Sequence, residues 1–172
     1  MRSIPRWLGV LGWAALFSVV YAAAPIRLSR FGRRYGWASG KPGPVNLVGL
    51  IPLGAGAATV LWTTALHYQE GEEGWSVTGK RLGQPPDYLV TRGPYAYTRN
   101  PMHLGSAAIW LGWSVVLGSP IVAVIVAIAG AGAAPLVPAW EERELERRFG
   151  DEWRAYRDEV SRWVPRARTR PT

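Results

Sequence analysis

Between Leu89 and Gly105 the sequence LVTRGPYAYTRNPMHLG sets two arginines, two tyrosines, two prolines and a histidine at the edge of a long apolar run. Asn100 before Pro101 has the chemistry of an N-cap and first helical residue, since Asn can accept from an orphan N–H and Pro has none to lose. A helix is predicted to start there. Arg99 then stands at its mouth and His103 in its first turn, where free N–H groups and the positive dipole end favour an anionic ligand group. Asp87, Tyr88, Tyr95, Tyr97, Glu141 and Glu142 join this set if the chain beyond the helix folds back on it. Each has a plain explanation alone: tyrosines and His103 in an aromatic belt, Arg99 snorkelling, glutamates on a solvated helix. Convergence of all of them at one membrane depth favours a site. No G-x-S-x-G, H-E-x-x-H, Walker A or paired metal-ligand spacing accompanies them, so no metal is expected, and without cysteine there is no thiolate nucleophile and no cysteine-ligated metal.

The elements that must position these residues are read from where charge is missing. No Asp, Glu, Lys or Arg occurs at 7–26, 42–69 or 100–140. The last gap is 41 residues long, about twice what one bilayer-spanning helix needs. Gly118-Ser119-Pro120 at its middle is turn chemistry, so it divides into two spans. The chain reads as an all-α integral membrane protein with about four transmembrane helices, the last two forming an antiparallel hairpin that brings Arg99–His103 beside Glu141 and Glu142.

The formal charge of +8 raises nucleic acid as a partner. The basic residues flank apolar spans instead of lining one face, and no nucleic-acid motif is present, so membrane lipids are expected in its place. A basic start before an apolar run also fits a signal peptide, but the run ends at Ala22-Ala23-Ala24-Pro25, a poor cleavage site, and a retained helix over 7–25 is expected. Residues 27–44 read as a basic, Gly/Pro-containing loop. Gly54 and Gly56, in a second span over 45–67, suggest small-residue helix packing, not a dinucleotide fingerprint. His67 reads as an interfacial polar residue, and 68–87 as a polar loop between spans. In the fourth span Ala123, Ala127 and Ala131 suit a helix seam. Leu145, Phe149, Trp153, Tyr156, Val160 and Trp163 recur at spacings of three and four, one apolar face of a helix or of two helices broken near Gly150. Such a segment suits the cytosolic interface, covering the hairpin mouth. The division expected is 1–68 as N-terminal membrane helices and 69–172 as the functional core.

Gly93-Pro94-Tyr95-Ala96-Tyr97-Thr98-Arg99-Asn100-Pro101-Met102-His103-Leu104-Gly105, with Glu141-Glu142, Leu145, Phe149-Gly150, Tyr156 and Arg162-Trp163-Val164-Pro165, resembles the isoprenylcysteine carboxyl methyltransferase family and the related phospholipid N-methyltransferases. The resemblance covers about half the chain, from Asp87 to Pro165. It implies a multi-pass membrane enzyme, in a bacterial inner membrane, that uses S-adenosylmethionine at a site facing the cytoplasm. Carried over by position, the cofactor would touch Asp87, Tyr88, Leu89, Val90, Tyr95, Asn100, Pro101, Met102, His103, Glu141 and the adjoining Glu142. Arg99 would orient the acceptor's head group and Tyr156 would support the acceptor.

Two departures bear on the acceptor. Asn100 and His103 stand where a His and a Tyr are usual in that motif. Val137 occupies the place where the prenylcysteine enzymes carry an arginine for the acceptor's carboxylate, which valine cannot bind. The expected substrate is therefore lipidic or a small apolar molecule entering from the bilayer. A membrane reductase with a similar C-terminal hairpin, binding NADPH, and a non-enzymatic scaffold or carrier remain the other readings. With the site in the cytosol, five basic residues of the first loop fall outside, against the positive-inside tendency, which leaves an interfacial or re-entrant first helix as the alternative to a spanning one.

Overall fold

The computed structural model describes residues 6–70 and 88–164. It is mostly helical. Helix α1 (Arg6–Ser18) passes through a π-turn (Val19–Ala23) into α2 (Ala24–Leu28) and a 3-10 turn (Ser29–Phe31). The run does not stop at Pro25, where the sequence suggested an end. Pro25 has no N–H for the carbonyl of Tyr21, four residues back, and the wider turn absorbs the misfit. The indole Nε1 of Trp113 donates to that carbonyl at 2.5 Å, and the Tyr21 hydroxyl meets Ser106 Oγ at 2.7 Å. A helix defect has become a docking point.

The basic loop is accordingly shorter than expected. It turns through a two-stranded hairpin, β1 (Trp37–Ala38) with β2 (Lys41–Pro42), in which Ser39 and Gly40 both take positive φ, 50° and 75°. Two such residues make the mirror-image turn that matches strand twist. The hairpin is seated on the far end of the bundle: Trp37 Nε1 donates to the Val116 carbonyl (2.9 Å), Tyr35 N–H to Gly118 (2.8 Å), and Asn46 Nδ2 to both Tyr35 (3.0 Å) and Val115 (2.7 Å). After α3 (Pro44–Leu47) comes α4 (Leu50–Glu70).

Helix α5 (Pro101–Val116) packs most extensively on α4. The contact is backbone against backbone. A Cβ on Gly56 would stand 2.5 Å from the Gly105 carbonyl oxygen, and one on Gly112 would stand 2.7 Å from that of Gly49. Gly49, just before α4, faces Gly112 while Gly56 faces Gly105, seven residues apart on each side and in opposite order. Small residues do let these two helices approach closely, but Gly54 has nothing within 4 Å of its Cβ position. The alanine seam foreseen at Ala123, Ala127 and Ala131 is exposed instead of packed.

Ser119 caps α6 (Pro120–Phe149) by accepting from Val122 N–H, and Gly150, at φ 51°, breaks it from α7 (Asp151–Glu159). The predicted C-terminal face is therefore two helices. Trp153, Tyr156 and Val160 are buried together, with Leu89, Leu145 and Phe149 against them. Among the described residues, two helices are long and apolar enough to cross a bilayer, Leu11–Phe31 and Pro44–Gln69. Their outward side chains are apolar as well: Val19, Ile51, Leu61 and Trp62 are all more than half exposed, a surface suited to lipid and costly in water.

Candidate active site

The Arg99 region is a knot between the start of α5 and the end of α7. Arg99 Nη1 donates to the carbonyls of Arg157 and Val160, both at 2.7 Å, its Nε meets Glu142 at 3.2 Å, and its backbone N–H donates to Ser161. The guanidinium thus closes the C-terminal carbonyls of α7, where positive charge also complements the dipole. Arg162 also holds Glu142, its Nε donating at 2.9 Å to the same Oε1 and its Nη2 in contact with Oε2. Thr98 Oγ1 and Asn100 Nδ2 both donate to the Arg162 carbonyl. The helix begins at Pro101 as predicted, but the Asn100 side chain does not cap it.

That leaves the helix mouth open. Pro101 has no N–H, Leu104 N–H bonds to the Asn100 carbonyl, and the N–H groups of Met102 and His103 find no acceptor among the described residues. Glu141 stands beside this mouth, close to His103. Burial pushes its carboxyl up, His103 opposes the rise and Glu142 adds to it. No hydrogen bond or ion pair engages Glu141 among the described residues. The Trp163 ring stands edge-on to His103 at 6.4 Å.

A second cluster adjoins it. In the 3-10 turn Gly93–Ala96, the Tyr95 hydroxyl lies 2.9 Å from His67 Nε2, at the end of α4, and Tyr88 OH donates to the His67 carbonyl. Tyr156 OH donates to the Tyr95 carbonyl at 2.8 Å. Burial raises the Tyr95 pKa most, and Tyr156, Glu141 and Tyr88 add to it. A group so hard to ionise stays a neutral phenol through the physiological range, able to donate and accept.

The structure therefore collects Tyr88, Tyr95, Tyr156, Asn100, Pro101, His103, Glu141 and Glu142 around one end of α4, α5 and α6. Leu89 and Val90 are placed there as apolar packing, Leu89 against the Trp153 cluster and Val90 buried. Met102 sits half-buried on the first turn of α5. Tyr97 is half exposed and outside the cluster, and Asp87 lies outside the described residues. Arg99, foreseen as a head-group ligand, has protein acceptors at Nε and Nη1. His67 was assigned only an interfacial place, and its partnership with Tyr95 spans 28 residues with no local spacing to announce it. Thr98 and Arg162 were read only as parts of the motif, with no role of their own, for the same reason.

A model of the phospholipid methyltransferase family matches residues 45–152, well over half the chain. The chain belongs to the phospholipid methyltransferase family. The match to this family of membrane methyltransferases begins at α3 and ends in α7, so it includes His67, Tyr95, the Arg99–His103 turn and Glu141. It takes the phospholipid side of the sequence resemblance, and reaches back over α4, where no signature was visible. No curated protein and no solved structure matches the chain.

Proposed function

We propose that this protein is an S-adenosylmethionine-dependent methyltransferase whose acceptor is a phospholipid-like molecule drawn from the bilayer. The observation that carries the reading is the unpartnered, half-buried Glu141 carboxylate beside the open N–H groups at the start of α5. A carboxylate without a partner suits a diol or a cation, and the helix mouth suits a carboxylate. S-adenosylmethionine carries all three groups and supplies a methyl on a positively charged sulfur. Glu141 would hold its ribose hydroxyls, the N–H groups of Met102 and His103 its carboxylate, and the rings of Tyr95 and Trp163 would lie near the cation. Asp87, Tyr88 and Asn100 would complete the boundary.

The chain contributes positioning and the exclusion of water, which is most of what an in-line displacement needs. Arg99 and Glu142 hold α7 over the mouth, and Tyr156 steadies Tyr95 through its carbonyl. In this reading both Arg99 and Tyr156 are positioning residues. Residues 69–172 form the methyltransferase core, with α4 lending His67 from the N-terminal membrane helices of 1–68. Four spans follow if α5, 16 residues and about 24 Å long, crosses a locally thin bilayer beside the first part of α6. The site then faces the cytosol, and the acceptor enters from the side between helices whose outer surfaces are uncharged.

Calorimetric titration with S-adenosylhomocysteine tests the cofactor half. Glu141→Ala is expected to weaken binding by about 10- to 100-fold, the worth of a hydrogen bond to a charged group, with no loss of fold. Absence of binding by the parent protein, or equal binding by the variant, would defeat the proposal. The raised Glu141 pKa gives a pH test. A carboxyl favoured as the neutral acid in the folded protein contributes stability at low pH that is lost as pH rises toward its folded value. Ligand binding needs the anion, so affinity should climb across the same range in the parent and stay flat in Glu141→Gln. For the acceptor, label from radioactive S-adenosylmethionine incubated with membrane extract should partition into organic solvent. Label confined to water-soluble products would exclude lateral entry.

A further inference from the structure

The far end of the bundle, seated about 24 Å along α5 from the proposed site, carries charge of one sign. Arg27, Arg30, Arg33, Arg34 and Lys41 lie there, and no Asp or Glu occurs at 24–53 or 109–125, the stretches that build this end. Arg27, Arg30, Arg33 and Lys41 are exposed. Between them stand exposed apolar groups: Phe31 is 80% exposed and Val45 79%. The platform holding these groups is fixed by the Trp37, Tyr35 and Asn46 hydrogen bonds to 115–118 described above. Arg34 is fixed too, donating to Ser29 Oγ at 3.0 Å with its guanidinium 4.7 Å over the Trp37 ring.

We propose that this platform is a binding surface for anionic phospholipid head groups, in the leaflet opposite the proposed active site. A partner must match both features at once, unbalanced positive charge and interleaved apolar side chains that cannot be left in water. A lipid interface offers phosphates and acyl chains at the same depth, and basic side chains near it each add attraction. A free phosphate ion would leave Phe31 and Val45 unmatched. An acidic protein would answer the charge, but Phe31 and Val45 call for an apolar phase beside it, which a bilayer supplies over the whole platform. Anionic lipid also accounts for five cations on the side of the membrane where the positive-inside tendency disfavours them.

The test uses the full chain purified in neutral detergent, with thermal unfolding followed as dioleoylphosphatidylglycerol or dioleoylphosphatidylcholine is added in mixed micelles. Phosphatidylglycerol is expected to raise the midpoint in a saturable way and phosphatidylcholine is not. The combined variant R30Q/R33Q/K41Q should need at least about tenfold more phosphatidylglycerol for half the effect, with its midpoint in phosphatidylcholine unchanged. R143Q/R147Q, at the other end of α6, should behave as the parent. If the triple variant is poorly folded, R33Q alone, read by retention of phosphatidylglycerol in native mass spectrometry, gives the same comparison. Inorganic phosphate at matched charge should have no effect. Equal response to the two lipids, an unchanged titration in the triple variant, or full replacement by inorganic phosphate would each overturn the proposal, the last pointing to an ion site.

Discussion

Arg99→Ala is expected to free α7 from the mouth of α5 and to lower stability by about 2–4 kcal/mol. The size follows from what the guanidinium leaves behind. Its side chain is 10% exposed and its Glu142 partner 12%, so two helix-terminal carbonyls and part of a carboxylate lose a charged donor where water reaches poorly. Arg162 still holds Glu142, which keeps the loss below that of a fully orphaned buried charge. Arg99→Lys should recover little, because a single ammonium cannot reach Glu142 and two diverging carbonyls as the planar fork does. Thermal unfolding in detergent gives the stability and protease cleavage after α7 arginines gives the detachment. A midpoint within a degree or two of the parent, with cleavage unchanged, would show that the knot is ornamental. Binding of S-adenosylhomocysteine should fall in parallel, and restoring it by ligand excess without restoring protease resistance would separate the two roles.

The other large effect is expected at the α4–α5 crossing. A methyl group on Gly112 would stand 2.6 Å from Leu53 N, and one on Gly56 2.5 Å from the Gly105 carbonyl, against backbone in both cases, whereas Gly54 has open space. Backbone cannot step aside as a side-chain tip can, so alanine at either contact must spread the helices. Gly56→Ala and Gly112→Ala should each cost about 1–3 kcal/mol, the usual range for overpacking, and Gly112→Leu should prevent accumulation of folded protein. Gly54→Ala, on the same helix and two residues away, should be neutral or slightly stabilising, since alanine is the better helix former. If all three alanine variants melt together, the close approach is not what holds these helices.

How much was legible beforehand depended on whether the signal was local. The start of α5 at Pro101, the turn at Gly118-Ser119-Pro120 and the break at Gly150 each rest on two or three adjacent residues whose backbone preferences agree, and all are found. The apolar face from Leu145 to Val160 is periodic as read, but it was expected at the membrane interface, and it packs on itself and Leu89 as a buried cluster. Three features required knowledge of distant partners. Pro25 looked like a stop because nothing nearby indicates that Trp113 will take the Tyr21 carbonyl. Gly54 and Gly56 are equivalent in sequence, and only the rotation of α4 against α5 separates them. His67 gains its meaning from Tyr95, and Arg99 from α7. Most of the residues gathered at that end of α4 and α5 were legible in type, while the division between those left without a protein partner and those spent on holding the fold was not.

The glycine pairs have a consequence for movement. Gly49 with Gly112 and Gly56 with Gly105 act as two teeth of a rack, spaced alike and running opposite ways. Sliding α5 by one residue, about 1.5 Å, would drive a side chain into facing backbone at both teeth together. The height at which His67 meets Tyr95 is thereby locked, and that side of the site cannot breathe. If the proposed reaction holds, the opening that admits the lipid and releases the spent cofactor would fall to α6 and α7, which are tied to the rest by Arg99, Glu142 and Arg162, a latch of charges that water entering the mouth would loosen.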